Sequence, residues 1–231
     1  MKLSRISSGI PGLDKLIESG FKRNSINLIA GEPGSGKTIF AIQFLLEGCK
    51  LGEPGIYITF EEKKEKLYED MITFGWDLAK FEKKGLFRFL EYTPEQVKKV
   101  LVEGGGEIDI LIEKIKAKRI VIDSITSFSL LYNDELTKKE AALALFDLIN
   151  KWNCTAVLTS QARSADHQLV MDTALEFEVD SILIMYHSKK KGERIRALEI
   201  LKMRGTKIPT KTYGVNIGEK GIYITNEIVK F

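Results

Sequence analysis

Hydrophobic positions in the first two thirds of the chain alternate between short continuous runs and helix-like spacing. The continuous apolar runs predict strands over residues 25–30, 55–60, 86–91, 119–122 and 155–159. Apolar residues at helical spacing predict helices over residues 38–51, 63–74, 95–102, 108–116 and 138–152. Strands that alternate with helices in this way indicate an α/β fold with a mainly parallel central sheet flanked by helices.

The hydrophobic pattern changes after Asp180. The later apolar segments have strand character without a helical period between them, over residues 181–186, 196–202, 211–217 and 222–225. Turns separate these segments, and Gly192-Glu193 has the composition of a hairpin turn. They therefore predict an antiparallel extension of the sheet. Because the sequence shows no repeat at solenoid or propeller periods, residues 1–231 are predicted to form one domain.

Length and composition exclude several classes of protein. The chain has 231 residues, within the range of one large α/β domain, and no apolar window approaches the roughly 18 residues of a membrane helix. Its N-terminus lacks the apolar core of a signal peptide, so a cytoplasmic location is expected. The two cysteines predict neither a disulfide scaffold nor a zinc site. A formal charge of +3 is too small to indicate a constitutive nucleic-acid binder.

Residues 31–38, Gly-Glu-Pro-Gly-Ser-Gly-Lys-Thr, match the phosphate-loop pattern G-x-x-x-x-G-K-[ST] between a predicted strand and a predicted helix. Glycines allow successive backbone N–H groups to converge on phosphate oxygens, and the helix N-terminus adds partial positive charge. Lys37 would pair with the β- and γ-phosphates, and the Thr38 hydroxyl would bind Mg²⁺. The predicted nucleotide-binding residues are Gly31, Glu32, Pro33, Gly34, Ser35, Gly36, Lys37, Thr38 and Ile39.

Two carboxylate motifs complete the chemistry expected of such a site. Asp123 ends the apolar strand 119–122, where it can hold a water bound to Mg²⁺ beside the phosphate loop. Glu61 and Glu62 follow the strand 55–60. If that strand lies next to the phosphate loop, one of these carboxylates can orient or deprotonate the water that attacks the γ-phosphate. The alternative for the pair is the acidic first turn of a solvated helix.

Several segments together resemble the KaiC-like branch of the RecA-type ATPases. They are the phosphate loop, the strand end 59–62, the segment 121–124, the segment 201–206 and the opening turn 8–14. The resemblance extends over residues 6–223. It implies a RecA-like phosphate-loop fold that binds ATP and Mg²⁺, in a homo-oligomeric ring, usually a hexamer, with ATP between neighbouring subunits. The function that the resemblance favours is an ATPase acting as a nucleotide-driven switch.

The resemblance also implies roles for residues outside the phosphate loop. Lys202 and Arg204 match the positions that reach across the subunit interface toward the γ-phosphate of the adjacent subunit. As alternate residues of one strand they would point to the same face, with Met203 opposite. Ser160 and Gln161 match the site where RecA-type proteins place a polar residue that senses the γ-phosphate. The alternatives are solvated cations on an edge strand and a plain polar strand end.

The sequence is also compatible with other functions. Glu176-Phe177 stands where the clock protein of this family carries a phosphoacceptor Ser-Thr pair, so autokinase activity is not expected. The loop 163–173 corresponds to the DNA-contacting region of recombinases, yet it holds little positive charge and no aromatic residue for base stacking. A DNA-stimulated recombinase-like or helicase-like ATPase and a non-hydrolysing scaffold are the alternatives, and each is compatible with a protein partner. His167 and His187 are predicted to be solvated.

Overall fold

The computed structural model describes residues 4–103, 106–165, 168–170, 178–190 and 192–230. The strands are β1 (Arg5–Ile6), β2 (Phe21–Lys22), β3 (Ile26–Gly31), β4 (Gly55–Thr59), β5 (Phe87–Glu91), β6 (Arg119–Asp123), β7 (Thr155–Gln161), β8 (Arg163–Ala165), β9 (Gln168–Val170), β10 (Ser181–Lys190), β11 (Glu193–Met203), β12 (Tyr213–Gly218) and β13 (Gly221–Ile228). The helices are α1 (Leu13–Leu16), α2 (Lys37–Lys50), α3 (Lys64–Ile72), α4 (Leu78–Lys83), α5 (Pro94–Glu103), α6 (Glu107–Ile115), α7 (Ile125–Ser129) and α8 (Glu135–Lys151). The order of these elements confirms the predicted α/β fold with a strand-only C-terminal part.

Nine of the described strands form the central sheet, in the order β13-β12-β11-β10-β3-β7-β6-β4-β5. The strands from β10 to β5 are parallel, and β11, β12 and β13 continue the sheet in antiparallel fashion. β3 therefore lies near the centre, with its carboxyl end at the edge where open α/β sheets bind ligands. β7 pairs with β3, and β6 lies between β7 and β4, so the strand that precedes Glu61 and Glu62 is not a direct neighbour of the phosphate-loop strand.

Alternate residues of the central strands enter two separate hydrophobic cores, one on each face of the sheet. In β3, Ile29 packs with residues of α2, whereas Leu28 packs with residues of α8 on the opposite face. In β6, Val121 belongs to the first core and Ile120 to the second. A strand covered on both faces needs apolar residues at every position, which explains the continuous apolar runs in the sequence.

The helices differ from the predicted ones where turns and caps interrupt the apolar period. The predicted helix 63–74 is α3, and a turn with φ of +73° at Gly75 then leads into α4, which the periodicity did not predict. The predicted helix 138–152 is α8, which begins earlier because Asp134 accepts the Thr137 N–H at 2.8 Å as its N-cap. None of the described helices is both long and apolar enough to cross a membrane.

Candidate nucleotide-binding site

The phosphate loop, residues 31–38, joins the buried strand β3 to the first turn of α2. Two of its glycines adopt positive φ, +77° at Gly34 and +104° at Gly36. A Cβ on Gly34 would lie 3.1 Å from His187 Nδ1, and one on Gly36 would lie 3.0 Å from Ile222 Cδ1. Larger residues here would be both strained and crowded. The loop backbone is therefore held tightly against its neighbours, with the N-terminus of α2 behind it, an arrangement suited to anions.

Lys37 is folded over this loop. Its Nζ donates to Gly31 O at 2.8 Å and to Glu32 O at 3.0 Å. Burial lowers the pKa of Lys37, and the charges of Asp123 and Glu32 act in the opposite direction. The ammonium group thus lies in the electrostatic field of Asp123. A phosphate bound in the loop would offer it a charge-assisted hydrogen bond, stronger than those to the neutral carbonyl groups.

Two buried hydroxyl groups next to these residues lack hydrogen-bond partners in the described part of the chain. They belong to Ser35, inside the phosphate loop, and to Ser124, directly after Asp123. Buried polar groups without a partner are rare in native proteins, and such groups commonly bind a water, an ion or a ligand. Phosphate oxygens and metal-bound waters would supply partners to such hydroxyls. The residues present therefore fit a nucleotide with its Mg²⁺.

Asp123 ends β6 and is bonded by hydroxyls from the strands on both sides. Tyr57 Oη, on β4, donates to Asp123 Oδ2 at 2.7 Å, and Thr159 Oγ1, on β7, donates to Asp123 Oδ1. Burial raises the pKa of Tyr57 well above its ordinary value, and the Asp123 carboxylate acts in the same direction. The tyrosine hydroxyl therefore stays protonated and remains a donor. Neither Tyr57 nor Thr159 was predicted, because only the sheet order brings them to Asp123.

Glu61 and Glu62 follow β4 in a bend where the Thr59 hydroxyl accepts both of their N–H groups, at 3.2 and 3.1 Å. Both precede α3, so the pair does not form the first turn of that helix. Glu61 accepts a hydrogen bond from the Ser127 hydroxyl on α7. Glu62 instead lines a cavity of about 350 Å³ together with Thr38 of the phosphate loop. The structure thus brings Glu62 and Thr38 to one cavity although two strands separate β4 from β3.

Ser160 and Gln161 end β7, the strand between β3 and β6. The parallel ladder pairs Gln161 with Gly31, at the start of the phosphate loop. Thr126 of α7 holds this strand end: its Oγ1 accepts the Gln161 N–H at 2.8 Å and lies 3.4 Å from Ser160 Oγ. Both predicted residues therefore lie at the same edge of the sheet as Asp123, between it and the loop.

Lys202 and Arg204 lie toward the amino ends of the parallel strands, away from the phosphate loop. The register pairs Lys202 with Ile182 and Ile182 with Leu28, three residues before Gly31. Leu28 and Gly31 are about 10 Å apart along β3, and the phosphate loop extends farther in the same direction. The prediction that both cations lie on one strand is wrong, because β11 ends one residue before Arg204 and the chain turns there.

Two residues that contact the phosphate loop were not predicted. Arg196 Nε donates to Gly34 O at 3.0 Å, and His187 Nδ1 lies 3.3 Å from Pro33 O. The two face each other across β10 and β11, whose hairpin extends past the carboxyl end of β3 and lies against the loop. The predicted solvation of His187 therefore holds only in part, because its side chain is half-buried and also contacts the loop. A strand pattern continuing up to the turn at Gly192 is the sequence signal that could have shown it.

Some sequence predictions concern residues that the structure does not describe. Glu176 and Phe177, on which the autokinase argument depends, lie outside the described residues, as does His167. Of the loop 163–173 the structure describes β8 and β9, which pair as a short antiparallel hairpin. The structure therefore bears on neither the autokinase argument nor the DNA-binding alternative.

A phosphate loop at the carboxyl end of a central parallel strand, with its lysine in the field of Asp123, defines a phosphate-loop nucleotide-binding protein. The family model described as "ATPase: KaiC" matches residues 6–228. The chain therefore belongs to the KaiC family of ATPases, and the predicted resemblance is confirmed.

Proteins similar to this one cover nearly its whole length. A UPF0273 protein of Pyrococcus horikoshii is 34% identical over 95% of this chain and 93% of its own length. The circadian clock protein KaiC3 of Synechocystis sp. is 32% identical over 96% of this chain and 46% of its own length, so this chain spans about half of it. The crystal structure of a KaiC-like protein from P. horikoshii matches 97% of this chain and 100% of its own, with TM-score 0.84 and 34% identity. These likenesses confirm the fold and support nucleotide binding.

Proposed function

We propose that this chain is a Mg²⁺-dependent ATPase whose nucleotide lies between neighbouring copies in a homo-oligomeric ring. The observation that carries the proposal is the separation of two groups of residues along the strands of the sheet. Residues 31–38, Asp123 and Glu62 gather at the carboxyl ends of the parallel strands, whereas Arg204 lies at their amino ends and Lys202 lies level with Leu28 in the middle of β3. Cations so placed can stabilise a γ-phosphate only when it is bound by another copy of the chain.

The residues at the loop support binding of ATP together with Mg²⁺. Backbone N–H groups of the loop and Lys37 would hold the phosphates, as in other phosphate-loop proteins. The Thr38 hydroxyl and a water held by Asp123 would complete the coordination of the metal. Hydroxyl, carboxylate and water oxygens are the ligands that Mg²⁺ prefers, and the bound ion would neutralise charge on the β- and γ-phosphates.

Hydrolysis and its use as a switch depend on the neighbouring strand ends. Glu62 or Glu61 would orient the attacking water. Ser160 and Gln161, next to Gly31, would respond to the presence of the γ-phosphate, and Thr126 would pass this change to α7. The difference between bound ATP and ADP would then alter the surface offered to a partner, which makes the protein a nucleotide-driven switch.

The proposed assembly follows from the use of two different surfaces in one contact. An interface between unlike surfaces is head-to-tail, and it closes into a ring when the rotation between subunits divides a full turn. The KaiC resemblance favours a ring of six. Lys202 and Arg204 of each copy would then face the phosphate loop of the next.

Steady-state ATP hydrolysis measured together with mass by light scattering tests this proposal. We expect Mg²⁺-dependent hydrolysis whose rate per subunit rises with assembly, and no hydrolysis by Lys37→Ala, which serves as the control for contaminating ATPases. Hydrolysis by a monomer at the same rate per subunit would contradict the interface proposal. Assembly with ATP but without hydrolysis would indicate a scaffold, and strong stimulation by single-stranded DNA would indicate a recombinase-type motor.

Single glutamine substitutions of the two glutamates will identify the residue that orients water. We expect Glu62→Gln to lower kcat about 100-fold, because Glu62 shares its cavity with Thr38 while Ser127 holds Glu61. Glu61→Gln should have a much smaller effect. Rates are measured at saturating Mg²⁺-ATP, so that a change in nucleotide affinity does not enter. A larger loss in Glu61→Gln would reverse the assignment, and equal wild-type rates would remove both residues from the chemistry.

A further inference from the structure

The Asp123 carboxylate is held at both oxygens by hydroxyl groups. Tyr57 reaches Oδ2 from β4, and Thr159 reaches Oδ1 from β7. Both donors are fully buried, and Asp123 itself is 8% exposed. Since β6 lies between β4 and β7, the contacts tie three adjacent strands together at the edge that carries the phosphate loop.

The direction of these hydrogen bonds is fixed by chemistry. An ionised carboxylate is an acceptor only, so both hydroxyls must donate to it. A carboxylate has roughly four acceptor sites, and these two donors occupy about half of them. The remaining acceptor capacity is available to a water or to Lys37, whose charge Asp123 influences. Because each oxygen is bonded to a different neighbouring strand, the carboxylate has little freedom to rotate.

The Tyr57 ring has little freedom to withdraw its hydroxyl. It stacks on Phe89 of β5, with ring centroids 5.7 Å apart and an interplanar angle of 22°. Phe89 in turn meets Tyr68 of α3 edge to face, at 6.1 Å. The hydroxyl is therefore positioned by a packed aromatic cluster, which makes the contact with Asp123 a fixed feature of the site and not an adaptable one.

We propose that Tyr57 and Thr159 are positioning residues that orient the Asp123 carboxylate toward the Mg²⁺ of a bound nucleotide. This inference rests on the proposed function. Asp123 would act on the metal through the water that it holds, and outer-shell groups of a metal site are worth about 10- to 100-fold in metal affinity or activity. Removing either hydroxyl should weaken the binding that depends on Mg²⁺, while binding of the metal-free nucleotide through the loop and Lys37 should stay nearly unchanged.

The test measures nucleotide affinity with and without the metal in isosteric variants. Isothermal titration calorimetry with a non-hydrolysable β,γ-imido analogue of ATP gives one Kd in Mg²⁺ and another in EDTA. Tyr57→Phe and Thr159→Val each remove only a hydroxyl contact, and we expect each to raise the Kd in Mg²⁺ about tenfold with little change in EDTA. Thr159→Ser keeps the hydroxyl and should restore the wild-type ratio of the two constants.

Tyr68→Phe is the matched control. It removes a tyrosine hydroxyl that donates to a carboxylate, Glu82, at 3.1 Å, within the same aromatic cluster but away from Asp123. We expect it to leave both dissociation constants unchanged. A purely structural role for Tyr57 would instead lower binding equally in Mg²⁺ and EDTA, as any loosening of the fold would.

The outcomes separate this inference from the proposed function. If the wild-type protein binds the analogue no better in Mg²⁺ than in EDTA, the proposed Mg²⁺-ATP site fails and the inference fails with it. If the wild-type protein shows the Mg²⁺ effect and both isosteric variants keep it in full, only the positioning role is overturned. A selective loss in Mg²⁺ that Thr159→Ser reverses supports it.

Discussion

An Arg204→Ala variant that assembles normally will hydrolyse ATP about 10³-fold more slowly than the wild-type protein. Arg204 lies at the amino ends of the parallel strands, away from residues 31–38, so its proposed target is the γ-phosphate held by the next copy. An arginine supplied across an interface stabilises the charge that develops on the transferred phosphoryl group. The rate is measured under conditions in which light scattering shows complete assembly.

Mixing two inactive variants distinguishes action across the interface from action within one chain. Lys37→Ala keeps Arg204 but has a disabled loop, and Arg204→Ala keeps the loop but lacks the arginine. In rings formed from equal amounts of both, about a quarter of the interfaces join an intact loop to an intact arginine, because the two contributions come from different copies. The mixture should therefore recover about a quarter of the wild-type rate, whereas each variant alone stays inactive.

Lys207→Ala is the control for loss of a nearby positive charge. Lys207 is exposed and lies three residues after Arg204 in the same turn region, so its removal should leave the rate close to that of the wild-type protein. An Arg204→Ala ring that hydrolyses ATP at the wild-type rate would contradict the role of Arg204. A mixture that recovers nothing, although the two variants co-assemble, would contradict its action between copies.

The fold was largely predictable because buried parallel strands are nearly continuous hydrophobic runs in the sequence. Runs such as 120–122 and 156–158 are apolar at every position, since both faces of each strand are covered. The order of the strands was less accessible: nothing local to β4 shows that β7 and β6 will later insert between it and β3. α4 was missed because it is only six residues long and follows a turn at Gly75.

The residues of the candidate site were likewise predictable only in part. Residues 31–38 form a contiguous motif, so the sequence alone identifies them. Tyr57 and Thr159 lie in apolar strands, about 100 residues apart, and become partners of Asp123 only once the sheet has formed. Arg196 was missed for a related reason, because its contact with the phosphate loop depends on how far the β10–β11 hairpin extends. Contacts across strands are tertiary information that no single segment carries.

Replacing Arg119 with methionine will lower the free energy of unfolding by about 3–5 kcal/mol. Arg119 starts β6 and is fully buried, with Nε and Nη2 donating to Glu53 Oε2 at 3.0 and 2.7 Å. Its Nη1 donates to Ser7 O and Phe44 O, each at 2.8 Å, and the guanidinium lies 4.7 Å from the Phe44 ring centroid. Methionine fills similar space but removes the Arg119 donors from two carbonyl groups and from Glu53 Oε2.

Urea unfolding measures this loss, and Arg23→Met is the matched control. Arg23 also donates to Glu53, at 3.0 Å, but its side chain is 42% exposed, so its removal should cost less than about 1 kcal/mol. The slope of free energy against urea concentration should stay the same in both variants, so that the midpoints report stability alone. Equal midpoints for the two variants would show that burial of the Arg119–Glu53 pair adds nothing beyond a surface contact.

The same pair predicts a dependence of stability on acid. Burial raises the pKa of Glu53, but the hydrogen bonds and charges of Arg119 and Arg23 outweigh this and hold the pKa below its ordinary value. A carboxyl group whose pKa is lowered in the folded state stabilises the protein at any pH above its pKa in the unfolded state, about 4.3. This stabilisation is lost as the pH falls through the pKa of the folded state. Glu53→Gln should therefore be less stable than the wild-type protein at pH 7, with the difference shrinking as the pH falls below about 4. A difference that stays constant over this pH range would show that the charge of Glu53 does not contribute, and that the stability conferred by Arg119 comes from its backbone contacts and packing.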